Sequence, residues 1–249
     1  MREPLLEICV DTLSGLALCD RNGIDRIEIA AALDLGGLTP TAGLIEAARH
    51  VTPAVRAMIR PRAGDFRFTR DEVKAACVEI ETVARAGLEG VVLGAAVPGN
   101  RLDVDALSEM VSAASGLGLT LHRVIDTLDD PIRGLDEAME LGFDTVLTSG
   151  GGRKAIEAVS TLATLSRRAG DRIRVMAGAG ITAPQIPRIA AAAKISAFHA
   201  SCTTRVPSAE RLVDLGFASE TRGVTDISRI DDIVQAMEFL KRQRVAARS

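Results

Sequence analysis

The sequence predicts an α/β fold, a single (β/α)8 barrel over residues 1–249. Three observations carry this. Short β-type runs alternate with helical runs eight times, with no compositional break, linker or repeat. The length suits one such barrel. The first strand–helix turn lacks the GxGxxG run of an open dinucleotide-binding sheet.

The units follow in order. "LLEICV" at 5–10 is a strand, and its helix runs to Asn22, where Gly23 stops it. "RIEIAA" at 26–31 precedes a helix after Pro40. "AVRAMIRP" at 54–61 leads to a long helix over 70–86, closed by Gly87. "GVVLGA" at 90–95 precedes a helix over 104–115, begun by Asp103 and Asp105. "LTLHRVID" at 119–126 is the fifth strand, and Pro131 opens its helix. "DTVLTS" at 144–149 precedes a helix over 154–168, and "IRVMAG" at 173–178 one over 184–193. "ISAFHA" at 195–200 is the eighth strand, and the last helix covers 228–242. Segment 203–225 is either a long loop over the barrel mouth or a mobile tail.

Composition narrows the function. Hydrophobic residues make up 47%, enough for a large core. A net charge of −3 supplies no basic field for nucleic acid or anionic membrane. With no Trp or Tyr and six Phe, stacking platforms for single-stranded nucleic acid are scarce. The four cysteines, Cys9, Cys19, Cys77 and Cys202, lack CxxC spacing and read as reduced thiols in the cytoplasm. No apolar run reaches membrane-spanning length, and no signal peptide is visible. Apolar helix faces leave room for a contact between copies, a homo-oligomer.

Strand alternation turns unusual residues inward. In the first two strands the branched apolar face meets the helices, so Glu7, Cys9 and Glu28 point to the barrel axis. The third strand sends Arg56, Met58, Arg60 and Arg62 to one face, followed by Asp65. The fifth turns Thr120, His122, Val124 and Asp126 one way and Leu119, Leu121, Arg123 and Ile125 the other. The eighth turns His199 and Ser201 inward. Barrels usually fill their centres with branched apolar side chains. Glu7, Glu28, Arg60, Arg62, His122 and His199 therefore pair with each other or face a solvated pocket. Pairing alone would make a structural ion network. A pocket at the carboxyl ends of the strands would make an acid–base site.

Small-residue loops follow the last three strands: "TSGGGR" at 148–153, "AGAGI" at 177–181 and "HASC" at 199–202. They mark Ser149, Gly150, Gly151, Gly178, Gly180, His199 and Ser201 as candidates for binding a phosphate or carboxylate, because glycine lets backbone N–H groups approach an anion. Arg153, Lys154 and Arg205 could add charge.

With these motifs in view, the chain resembles the CutC copper homeostasis family. "LEIC" at 6–9, "GGLTPT" at 36–41, "IRPRAGDF" at 59–66, "LHRVID" at 121–126, "VLTSGG" at 146–151 and "MAGAGI" at 176–181 carry the resemblance. It implies a TIM barrel and a cytoplasmic protein tied to copper. Glu7, Glu28, Arg60, Arg62, Asp65, His122, Arg123, Asp126 and Ser149 match motif positions. All but Ser149 form the candidate catalytic set. The resemblance also implies copper as the cofactor. Copper(I) prefers thiolate and thioether ligands. The family often carries a second cysteine on strand two, where this chain reads "IEIAAA" with Ala30 and Ala31. Cys9 and Cys202 are then the candidate metal ligands, with His199 and Met176 to complete the set. A second departure is Ala63, where the family tends to have glycine.

Three readings follow. The first is an enzyme on a small anionic substrate, with isomerisation, aldol-type cleavage or hydrolysis as reaction classes. A divalent metal held by Glu7, Glu28 and His122 is a variant of it. No assigned strand carries a lysine for a Schiff base. The second is a dedicated copper(I) protein through Cys9 and Cys202. The third is a non-catalytic barrel.

Overall fold

The structure, a computed structural model, describes residues 3–246. Eight parallel strands close into the expected barrel: β1 (Leu5–Val10), β2 (Arg26–Ile29), β3 (Ala54–Met58), β4 (Gly90–Leu93), β5 (Gly118–Leu121), β6 (Thr145–Thr148), β7 (Arg174–Ala177) and β8 (Ala197–Ala200). Each pairs with the next, and β8 closes on β1. Most strands end earlier than the apolar runs predict. At the mouth the backbone leaves the ladder for local turns: Ala31 bridges to Leu38 instead of continuing β2.

Helices α1 (Leu13–Cys19), α2 (Ala42–Ala48), α3 (Arg70–Ala86), α4 (Val104–Ala113), α5 (Pro131–Glu140), α6 (Val159–Ala169) and α7 (Gln185–Ala193) wrap the barrel. Their ends obey local chemistry. Thr69 and Glu72 form a capping box on α3, and Gly87 ends it in a left-handed conformation. The buried residues of α3, Val73, Ala76, Ile80 and Val83, keep helical spacing and face the sheet. The main core lies between strands and helices and includes Leu6, Ile8, Ile27, Ile29, Leu121 and Phe198.

Segment 203–225, expected as a long loop or a mobile tail, carries regular secondary structure. Thr203–Pro207 and Thr221–Thr225 pair as an antiparallel hairpin, with α8 (Glu210–Asp214) between them. Backbone pairing satisfies its polar groups without an apolar stripe, so the hydrophobic pattern does not announce it. Arg205 ties it to Asp34 at 2.5 Å. The last helix, α9 (Ile227–Ala246), buries Ile230, Ile233, Met237 and Leu240 against the barrel.

Inside the barrel the filling is largely polar. Arg56 crosses its lower half, bonded to Glu89 at 2.7 Å, Asp144 at 2.9 Å and Thr120 at 2.7 Å. Gly118 leaves space for this guanidinium, since a Cβ there would lie 2.3 Å from Arg56 Nη2. Above that clamp the inward side chains of β8, β1 and β2 build the floor of a cavity.

Candidate functional site

The register of three neighbouring strands sets the floor. Glu7 stands opposite Arg26 on β2 and His199 on β8, and Cys9 stands opposite Glu28. Side chains two residues apart share a face, so all five point inward. Arg26 donates from Nε to Glu7 Oε2 at 2.5 Å. Glu7 Oε1 lies 2.7 Å from His199 Nδ1. Burial alone would raise the Glu7 pKa. The Arg26 charge and the His199 hydrogen bond outweigh it and hold the carboxyl at about 2. His199 also has Cys9 beside it, their ligand atoms within 4.8 Å. Burial opposes its charge, yet Cys9, Glu28 and Glu7 together raise its pKa well above the usual value. Glu28 feels the Arg26 charge only as the smallest of its influences. Burial pushes its carboxyl up to about 7, partly offset by the His199 charge.

His122 forms one wall. β5 ends at Leu121, and His122 caps a 3-10 turn over Arg123–Thr127. Its Nδ1 accepts the Val124 N–H at 3.1 Å, so in the neutral ring the proton sits on Nε2. Burial and the nearby Arg60 charge hold its pKa down at about 3, which keeps the ring neutral. Gly94 makes room for it: a Cβ there would lie 2.5 Å from His122 Cε1. Phe66 lies against the ring, centroids 4.8 Å apart.

Arg60 is 5% exposed and, among the described residues, pairs with no carboxylate. Its guanidinium donates to the carbonyls of Leu35, Gly37 and Gly64 at 2.8–3.1 Å and stacks on Phe66 at 4.9 Å. A buried cation held only by carbonyls and a ring keeps its charge available to an anion. Burial and Arg62 lower its pKa.

These groups line a cavity of about 240 Å³ at the carboxyl ends of the strands. Cys9, Glu28, Arg60, His122, Arg123 and His199 supply its polar wall. Leu33, Met58, Phe66, Leu147 and Ile181 supply the apolar wall, and Gly180 and Ser201 reach its rim. Among the described residues, four buried side-chain polar atoms lack a hydrogen-bond partner, and three belong to this cavity: Glu28 Oε2, Arg60 Nε and His122 Nε2.

Other expected residues lie elsewhere. Arg62 and Asp65 form an outer clip: Arg62 pairs with Asp65 at 2.9 Å and with Glu72 of α3 at 2.6 Å, outside the cavity. Glu7 lies beneath the floor. Asp126, Ser149, Gly150 and Gly151 meet each other instead of a ligand. Asp126 accepts from Thr148 Oγ1 at 2.6 Å, Ser149 Oγ at 2.9 Å and the N–H of Gly151 at 3.0 Å. The glycine loop does hold an anion, and that anion is the protein's own carboxylate. Gly178 packs on Leu147. Arg123, placed on the outer face by alternation, lines the cavity, because the 3-10 turn breaks the period after Leu121. It pairs with Asp126 at 2.8 Å.

Among the described residues Cys202 joins no group of three or more potential ligands. β8 ends at Ala200, and Cys202, in a left-handed conformation, packs into the outer core. Burial pushes its thiol up to about 12. Met176 accepts from Arg26 below the floor at 3.8 Å. The ligand atoms that do gather are those of Cys9, Glu28 and His199, all within 4.8 Å of one another. Glu7 and His122, expected with Glu28 around a divalent metal, are not in that group. Arg26 and Phe66 were not among the expected site residues. Inward parity opposite Glu7 marks Arg26, while nothing in the alternation marks Phe66, which arrives on a loop.

The fold and cavity define a class: a (β/α)8 barrel with a cavity of mixed apolar and charged lining at the carboxyl ends of its strands. Comparison supplies the family. The CutC family profile matches residues 4–204, and the chain belongs to that family. A protein named as a CutC family member from Rhizobium meliloti is 43% identical, covering 90% of this chain and 92% of its own. One from Caulobacter vibrioides is 40% identical, covering 95% and 98%. A crystal structure described as the putative copper homeostasis protein CutC from Streptococcus agalactiae superposes with a TM-score of 0.76 at 29% identity, covering 80% of this chain and 98% of its own. Among the described residues no helix is long and apolar enough to cross a membrane.

Proposed function

We propose that this chain is an enzyme that binds a small anionic substrate at the barrel mouth and moves a proton on it. One observation carries the reading: Arg60 Nε, His122 Nε2 and Glu28 Oε2, all buried and all without a hydrogen-bond partner among the described residues, belong to three side chains that line a single cavity. Buried polar atoms are almost always paired, so an unpaired set in one pocket points to a missing ligand. Two are N–H donors and one is an acceptor. Donors suit a carbonyl or oxyanion oxygen, and an acceptor suits a proton beside it. A neutral imidazole donating from Nε2 polarises such an oxygen without losing its own proton. Arg60 supplies the charge that selects an anion. Proton abstraction next to a carbonyl, as in isomerisation or aldol-type cleavage, uses all three. The four unpaired thiols fit a reducing cytoplasm.

Copper handling, suggested by the description of the streptococcal relative, is supported less well. Copper(I) calls for several soft donors. Among the described residues Cys9 is the one thiol lining this cavity, Cys202 packs outward, and Ala30 or Ala31 stands where the family often has a second cysteine. The ligand group that holds Cys9 does not include Cys202.

The test is a panel of small phosphates and carboxylates screened by thermal shift, followed by solvent-deuterium incorporation into each binder. At least one anion should raise the melting temperature of the parent, and Arg60→Gln should lose that rise. Glu28→Gln should still bind and should exchange about 10²–10⁴-fold more slowly. A panel in which no anion binds, or an Arg60→Gln variant that binds as the parent does, removes the reading.

A further inference from the structure

We propose that Cys9, Glu28 and His199 form a three-ligand site for a divalent cation of the zinc class, with its open position toward the cavity. The three residues come from adjacent strands, β1, β2 and β8, and their ligand atoms lie within 4.8 Å of one another. Zinc takes thiolate, imidazole and carboxylate at about 2.0–2.3 Å, which sets donors about 3.5 Å apart in a tetrahedron. Small side-chain rotations close that difference.

Two independent observations point to a ligand here. Glu28 is 2% exposed, and its Oε2 has no hydrogen-bond partner. A buried carboxylate oxygen left this way is costly unless a cation or donor meets it. The second observation concerns His199. Its Nδ1 is engaged by Glu7 at 2.7 Å, and Glu7 is anchored by Arg26 at 2.5 Å. A carboxylate behind the distal ring nitrogen is the usual support of a metal-ligating histidine, because it keeps the Nδ1 proton and aims Nε2 outward, whose own proton is released to solvent as the metal binds. Arg26 balances the Glu7 charge, so a thiolate and the Glu28 carboxylate remain to neutralise a dication. Three protein ligands with a vacant fourth position is the arrangement of catalytic zinc, whereas structural sites are closed by four.

The donor set also selects. A thiolate disfavours magnesium and calcium, while one thiolate with an imidazole and a carboxylate is harder than copper(I) prefers. The inference deepens the enzyme reading: a substrate anion would place one oxygen on the cation and present another to Arg60 and His122. A carboxylate has two oxygens, so Glu28 can ligate with one and keep the other for the substrate proton.

Cobalt(II) is the probe, titrated alone into metal-free full-length protein and read by absorption. The expected result is one equivalent bound, with a thiolate-to-metal charge-transfer band and the intense visible bands of four-coordinate cobalt, all displaced by zinc. Cys9→Ser should lose the charge-transfer band, and Cys202→Ser should keep it. Glu28→Gln should weaken binding at least tenfold, and Glu7→Gln by about 10–100-fold through the tilt of His199. Circular dichroism confirms that each variant is folded. Arg60→Gln should bind cobalt like the parent, so this proposal and the anion pocket fail separately. No cobalt or zinc binding at millimolar metal, binding without the thiolate band, dependence on Cys202, or binding of copper(I) alone would each overturn it.

Discussion

His122 shows how one residue couples site and stability. Its folded pKa of about 3 lies below the ordinary 6.5 because burial and Arg60 disfavour the charged ring. Between those values the unfolded chain takes up a proton that the folded chain refuses. The stability of the neutral ring is therefore full above pH 6.5 and is lost as pH falls toward 3. Each unit of separation is about 1.4 kcal/mol. Denaturant unfolding at pH 7 and pH 4 should show this loss in the parent. His122→Asn keeps an acceptor for the Val124 N–H and removes the titration, so its profile should be flatter by several kcal/mol. Equal slopes would mean that His122 is not held neutral. Gly94→Ala tests the space it needs. A Cβ against the ring should cost about 1–3 kcal/mol and reduce anion binding with it.

Elements position these residues by register and by local turns. The Glu7–Arg26–His199 row follows from strand pairing, so its inward residues Glu7 and His199 were legible from alternation alone. The loop after β6 was legible as an anion holder, yet its occupant was not. Only the 3-10 turn after β5 brings Asp126 under Gly151 and swings Arg123 into the cavity. That turn breaks the two-residue period on which sequence parity depends. Asp126→Ala leaves the N–H groups of Ser149 and Gly151 without their acceptor. It should destabilise the protein by about 1–3 kcal/mol. It should also speed hydrogen exchange in residues 148–153 more than elsewhere. Uniform exchange across the barrel would separate Asp126 from that loop.

On the scale of the molecule, two polar layers occupy a barrel whose apolar core lies outside the strands. The lower layer is the Arg56 clamp, which joins β3 to Glu89 at the foot of β4 and to Asp144 at the foot of β6, across the barrel interior. Arg56→Met should cost about 3 kcal/mol, the low end for a broken buried pair, because Glu89 and Asp144 are partly solvated. Unfolding in urea measures it, and a change below 1 kcal/mol would make the clamp dispensable. α9 closes the outer layer. Met237 is fully buried there, and Met237→Ala should cost about 2–5 kcal/mol.

The barrel itself was determined by the sequence: eight β-type runs alternating with helical runs leave few other ways to bury their apolar faces. Alternation along single strands also determined that Glu7, Glu28, Cys9 and His199 face inward. Tertiary structure decided which inward groups meet. Closure of β8 onto β1 puts His199 beside Glu7 and Cys9, a contact between residues some 190 positions apart. The excursion of the chain after Ala200 sends Cys202 outward, and the loop after β3 sends Arg62 outward while keeping Arg60 at the cavity. The physical reason is range. Periodicity and capping are local and can be read along the chain. The partner of a buried charge depends on register, closure and turn geometry, which arise only when all eight strands assemble.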